Sequence, residues 1–181
     1  MIDWQAIVRE HGPAVWRTAY RVVGNRADTE ECFQEAFLGA VQIARGQHVK
    51  NWRALLQRLA ASRAIDRLRQ RYRQEHFEGA VEFGQFRDPA PPPCQAAEDK
   101  ELSERLRRLL VQLPSKQAEA FCLHCLDECS YQEIGEQMGV SVNAVGVLLY
   151  RARERLRELL ADLVSQPENN LGRSRPEKEP S

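Results

Sequence analysis

Ser130-Tyr-Gln-Glu-Ile-Gly-Glu-Gln-Met-Gly-Val-Ser-Val-Asn-Ala-Val-Gly-Val-Leu-Leu-Tyr-Arg151 decides the reading of this chain, because it spells two helices and the turn between them. Ser130 with Glu133 three residues later is a capping-box pair, each side chain satisfying a backbone N–H that the first turn leaves unpaired. Gly139 suits a left-handed turn, and Ser141 caps a second helix running to about Leu163. Ile134, Met138, Val140, Val145 and Leu149 are spaced to fill the angle between the helices, while Gly135 lets them cross closely. The pattern is a helix-turn-helix, which lays the start of its second helix, with Ser141 and Asn143, in a major groove. Tyr150 and the basic stretch Arg151, Arg153, Arg155 and Arg157 then extend that helix toward phosphates, although a solvated face explains those arginines about as well.

Working outward, Leu102, Leu106, Leu109, Leu110 and Leu113 mark a helix that stops before Pro114, and Ser115 starts another carrying Ala118, Phe121, Cys122, Cys125 and Leu126. Residues 98–164 therefore read as one small helical domain, followed by a polar, disordered tail at 165–181. Ahead of it, residues 75–97 lose helical periodicity and gather Pro89, Pro91, Pro92 and Pro93 among acidic residues, the composition of a flexible linker.

Residues 1–74 form the other domain. Asp3 to Val23 is apolar at helical spacing, divided or kinked at Gly12-Pro13 and closed by Gly24. Asp28 and Glu31 have capping-box spacing ahead of a helix whose apolar side is Phe33, Ala36, Phe37, Ala40, Val41 and Ala44. Asn51 caps a long helix to about Arg73. On it Arg63, Arg67 and Arg71 form one stripe and Arg69 with Arg73 a second, with Asp66 as their acidic neighbour; these stripes fit either a phosphate backbone or plain solvation. The expected fold is all-α: two small helical domains joined by an acidic, proline-rich linker, the second containing the helix-turn-helix.

The charge pattern points the same way. Lysine and arginine equal aspartate and glutamate at 26 each, yet positions 1–74 hold 13 basic and 7 acidic residues and positions 75–104 hold 2 and 8. A neutral total thus hides a basic first half, which favours a polyanion partner. No apolar run approaches the ~18 residues of a membrane span, and the N-terminus lacks a secretory pattern, so the five cysteines are expected as thiols in a reducing cytoplasm, with no membrane insertion. Cys122, Cys125 and Cys129 with His124 lack a second ligand pair at zinc-finger spacing and read as packing residues, so no metal or cofactor is expected. The four histidines are scattered, with no nucleophile-base motif and no glycine-rich phosphate loop, which leaves an enzyme without support.

These segments, in their order, resemble a bacterial RNA polymerase sigma factor of the sigma-70 family, of the extracytoplasmic-function (ECF) subfamily. Asp28-Thr-Glu-Glu-Cys-Phe-Gln-Glu-Ala-Phe-Leu38 resembles the family segment that docks on the polymerase clamp helices, and Ala64-Ile-Asp-Arg-Leu-Arg69 resembles the minus-10 helix. Leu113-Pro114, Ser130-Tyr-Gln-Glu-Ile134, Gly139-Val-Ser141 and Tyr150-Arg-Ala-Arg-Glu-Arg-Leu156 resemble the minus-35 domain. The resemblance implies core RNA polymerase and promoter DNA as partners, an anti-sigma factor as a further one, and no chemistry of the chain's own. It assigns Asp28, Glu31, Gln34 and Glu35 to polymerase, Arg63, Arg67, Arg69 and Arg71 to the minus-10 element, and Ser141, Asn143, Tyr150, Arg151 and Arg153 to the minus-35 element.

The chain departs from the family pattern at Gly146-Val147-Leu148, where polar or basic residues are usual, at Ala61-Ser62, and at Glu128, which stands where a turn glycine is usual. Two other readings compete: a helix-turn-helix regulator that binds duplex DNA alone, and an adaptor that binds a protein through an apolar Val145 to Leu149 face.

Overall fold

The computed structural model describes residues 2–77 and 95–165. Among them are seven helices and no strand: α1 (Trp4–Val23), α2 (Arg26–Gly46), α3 (Trp52–Phe77), α4 (Gln95–Leu110), α5 (Ser115–Cys125), α6 (Tyr131–Met138) and α7 (Val142–Ser165). The chain is all-α, as the periodicities require. The tail falls outside the described residues except Ser165, as does the linker except where α3 and α4 run into it.

Helix α1 is continuous through Pro13. Gly12 is buried beside the Phe33 ring, so the Gly-Pro pair permits a close helix contact rather than a break. Helix α2 begins three residues earlier than Asp28 suggests, because Asn25 is its cap: Asn25 Oδ1 accepts from the Asp28 N–H at 2.9 Å, and Asn25 Nδ2 donates to Asp28 Oδ2 at 2.7 Å. Asp28 is thereby placed inside the first turn, beside the positive end of the helix dipole.

Two apolar clusters form the core. One joins α1, α2 and α3 through Ile7, Val15, Ala36, Ala40, Leu56 and Ala60, bordered by Trp4, Trp52, Phe33 and Phe37. The other crosses between the two halves of the chain: Ala19, Val22, Ala61, Ile65 and Leu68 pack with Leu110, Leu113, Leu123, Ile134 and Leu149. Small Ala61 and Ala64, both fully buried, let α3 lie close to the second half.

Four arginines reinforce this contact, each donating to a carbonyl where a helix of the opposite half ends. Arg21 reaches Leu126 O, the C-cap of α5. Arg58 reaches Gln137 O in the last turn of α6 at 2.8 Å, and Arg107 reaches Val22 O in the last turn of α1 at 3.0 Å. Arg69 reaches Leu113 O, in the turn that leaves α4, at 2.6 Å. Carbonyls at a helix C-terminus lack intrahelical donors and carry the negative end of the dipole, so a guanidinium both completes their hydrogen bonding and neutralises them.

The helix-turn-helix forms as its residues demand. Ser130 and Glu133 make both capping-box bonds, and Gly139 closes α6 at φ 67°. A Cβ on Gly135 would lie 2.9 Å from Val140 O, whereas one on Gly139 would meet nothing within 4 Å. Glu128 holds φ 55°, the left-handed conformation that explains the glycine usual at that position. Gly135→Ala is therefore expected to destabilise the protein by ~1–3 kcal/mol through overpacking, and Glu128→Gly to stabilise it by up to ~1 kcal/mol through relief of strain. Urea denaturation followed by circular dichroism measures both.

Candidate nucleic-acid interface

Helices α2 and α3 run antiparallel, and this brings together two sets of residues that the sequence keeps far apart. Arg67 Nε donates to Asp28 Oδ1 at 2.8 Å, and its other arm meets Glu31. Arg71 reaches Asp28 Oδ2 at 3.2 Å and Val23 O at 3.1 Å, and Arg63 lies 3.9 Å from Glu35. The acids read as polymerase-facing and three of the arginines read as minus-10-facing thus form one charge ladder. Burial opposes ionisation of Asp28, but hydrogen bonds from Asn25 and Arg67 and the charges of Arg67 and Arg71 outweigh it and hold the carboxyl below its ordinary value. Its side chain is 14% exposed, against 53% for Glu31 and 59% for Glu35. Asp28 therefore orients the ladder from within, whereas Glu31, Gln34 and Glu35 lie on the surface of α2 beside exposed Leu38. Beneath them Cys32 is buried, and burial with the neighbouring Glu35 and Asp28 charges pushes its thiol up to about 12.

Arg69 stands apart. It points to the second half, bonded to Leu113 O and to Ser115 Oγ, and is 16% exposed.

The helix-turn-helix presents its expected residues differently. Ser141 Oγ accepts from the Ala144 N–H at 3.2 Å, and Asn143, Tyr150, Arg151 and Arg153 are all exposed. Within Gly146-Val147-Leu148, Leu148 packs against the core and Val147 projects outward at 48% exposure. Val145 and Leu149 are fully buried, so the apolar Val145–Leu149 face expected of an adaptor is a core face. Arg151 and Arg153 make no ion pair among the described residues, unlike Arg155 and Arg157, which pair with Glu158 and Glu154.

The cysteines of α5 part company. Cys122 is buried and its thiol is pushed up by burial, while Cys125, at the helix end, is exposed, off the apolar stripe on which the periodicity sets it. Residues that sequence periodicity overlooked are Arg21, Arg58 and Arg107, since their partners are backbone carbonyls 79 to 105 positions away. No helix among the described residues is long and apolar enough to cross a membrane.

Two helical modules, one carrying an arginine-rich long helix and the other a helix-turn-helix, have the architecture of a nucleic-acid-binding protein. The family model for sigma-70 region 2 matches residues 7–74, and that for sigma-70 region 4 matches residues 103–156. The ECF RNA polymerase sigma factor SigW of Bacillus subtilis is 30% identical over 165 residues, covering 87% of this chain and 88% of SigW. The RNA polymerase sigma factor CarQ of Myxococcus xanthus is 32% identical, covering 88% of this chain and 90% of CarQ. SigE of Mycolicibacterium smegmatis is 30% identical over 89% of this chain, which spans 63% of the length of SigE. The fold matches CnrH solved with the cytosolic domain of CnrY (TM-score 0.56, 24% identity, 87% of each chain). It also matches the Bartonella quintana sigma factor RpoE solved with the anti-sigma factor NepR (TM-score 0.53, 21% identity, 88% of this chain and 97% of that one). The chain belongs to the ECF sigma factors of the sigma-70 family. It is a transcription initiation factor, not an enzyme, and directs RNA polymerase to promoters.

The ladder yields a pH prediction. Because the Asp28 carboxyl sits below its ordinary 3.8, its contribution is present above about pH 4 and is lost as pH falls through the lowered value. Asp28→Asn is expected to lose roughly 1–3 kcal/mol at pH 7. The gap to the unsubstituted protein should narrow as pH falls through that lowered value, as measured by urea denaturation over a series from pH 7 into acid.

Proposed function

We propose that residues 1–74 bind core polymerase and the minus-10 element and residues 98–164 bind the minus-35 element, in the cytoplasm. Glu31, Gln34 and Glu35 form the polymerase-docking face, held in position by Asp28. The observation that carries this assignment is their shared exposed surface on α2, with Asp28 turned inward to Arg67 and Arg71. Arg63, Arg67 and Arg71 engage minus-10 phosphates, and Arg69 joins them when its intramolecular partners release it.

At the minus-35 element Ser141 fixes the helix start and Asn143 reads a base edge, an asparagine amide being matched to adenine N6 and N7. Tyr150, Arg151 and Arg153 hold the backbone, which their exposure supports. Val147 offers only a methyl contact, so the code is thin. An anti-sigma factor is the expected restraining partner; RpoE of Bartonella quintana, which shares the fold, is solved with one.

Run-off transcription with core polymerase and a pool of genomic fragments tests the reading as a whole: discrete promoter-dependent transcripts are expected, and a chain that binds duplex DNA without capturing core enzyme contradicts it. Charge reversal at Glu31 and Glu35 should weaken core binding at least tenfold with helicity intact, measured by polymerase capture. On a responsive promoter, scrambling the minus-35 element should lower transcription by less than tenfold; loss of nearly all transcript would show a richer code than Asn143 and Val147 supply.

A further inference from the structure

We propose that Val147 of α7 reads the C5 methyl group of a thymine in the minus-35 element, beside the adenine read by Asn143, and reads a 5-methylcytosine at that place in the same way. The proposal rests on the assignment of α7 to the minus-35 element.

Gly146 is the first observation. A glycine inside a helix is unfavourable, and nothing in the fold asks for this one. It does not lie at positive φ, as Gly24 and Gly139 do. A Cβ added to it would come no nearer than 3.9 Å to its surroundings, at Tyr131 Cε2, which is ordinary van der Waals distance. A Cβ on Gly135, by contrast, would press on Val140 O at 2.9 Å, so that glycine is a requirement of packing. What the missing side chain of Gly146 provides is room outside the protein: the backbone of α7 comes closer to whatever lies against this face.

The distribution of side chains around α7 is the second. Val145, Leu149, Ala152 and Leu156 face the core. On the opposite side Asn143, Val147 and Tyr150 follow one another at helical spacing, all three exposed. Arg151 flanks that row on one side and Arg153 on the other, both exposed and without an ion pair among the described residues. An amide and a branched apolar side chain thus stand at the centre of a surface whose edges are cationic. That arrangement fits a major groove, with base edges on its floor and phosphates along both walls. A protein partner would find only Val142 and Val147 as exposed aliphatic groups here, since Leu148 packs against the core.

Chemistry then selects the base. Valine neither donates nor accepts a hydrogen bond, so its match on the groove floor is the thymine C5 methyl group. Asn143 and Val147 lie about 6 Å apart along the helix, and base pairs stack at roughly 3.4 Å, which puts the thymine within about two base pairs of the adenine. Cytosine methylated at C5 presents the same methyl group at the same edge.

Holoenzyme formed from the full chain and core polymerase tests this on a promoter recovered by run-off transcription, its minus-35 region randomised. Selection of bound duplexes should enrich thymine at a fixed distance from an adenine. Replacing that thymine by deoxyuridine, which removes the methyl group alone, should weaken binding about fourfold, the factor expected for burial of one methyl group. With cytosine at the same place, C5 methylation should tighten binding by a similar factor. In Val147→Ser the difference between thymine and deoxyuridine should fall below about twofold with helicity intact. Gly146→Ala should weaken binding to the selected duplex several-fold while unfolding at the same or a higher urea concentration, a combination that a merely structural role does not produce. Enrichment without thymine, equal affinity for thymine and deoxyuridine, or a difference that survives Val147→Ser overturns the proposal. So does a Val147→Ser protein that keeps its DNA preference but captures core polymerase less well, because the valine then faces a protein. No enrichment at any randomised position would refute the assignment of α7 itself, and the proposal with it.

Discussion

An arginine that caps a helix belonging to the other half of the molecule is the interaction on which the arrangement depends. Backbone hydrogen bonding is satisfied inside a helix and left open at its ends, so any helical bundle carries exposed carbonyls that need donors. Here Arg21, Arg58, Arg69 and Arg107 supply donors across the boundary between halves. The apolar patch around Ile65, Leu113, Leu123 and Ile134 brings the halves together without direction, and the arginines fix how they meet.

The two candidate DNA surfaces differ accordingly. On α7, Arg151 and Arg153 stand in solvent, ready for phosphates. On α3, Arg67 and Arg71 are bonded to Asp28, and Arg69 is bonded to the second half. A guanidinium already paired must exchange partners to bind a phosphate, so its net gain is smaller but its position is defined in advance. The ladder between α2 and α3 also ties the two expected surfaces of the first half to each other: a partner that draws on Glu31 loosens Arg67, and a phosphate that takes Arg67 frees Glu31.

Local chemistry was legible in the sequence. Ser130 and Glu133, Gly139 and Ser141 carry unambiguous capping and turn signals, so α6 and the start of α7 follow from them. Where two signals compete, the sequence misleads: Asp28-x-x-Glu31 matches a capping box, yet Asn25 three residues earlier is the cap. Gly12-Pro13 reads as a division or a kink, and α1 is one helix through it, the missing N–H of Pro13 being outweighed by packing along the helix. The arginine stripes on α3 were visible as stripes; their partners were not, because helical periodicity counts neighbours three and four residues away, and Asp28, Glu31 and Glu35 lie on another helix. Carbonyl acceptors leave no trace in sequence at all, which is why Arg21, Arg58 and Arg107 went unmarked, and helical periodicity does not show the continuity of one apolar cluster across both halves, because its residues lie far apart in the chain.

Small-angle X-ray scattering of the free, full-length chain addresses that continuity directly. A single closed body of this length predicts a radius of gyration of about 16 Å. A value well above 22 Å, with the bimodal distance distribution of two bodies on a tether, would contradict the closed arrangement.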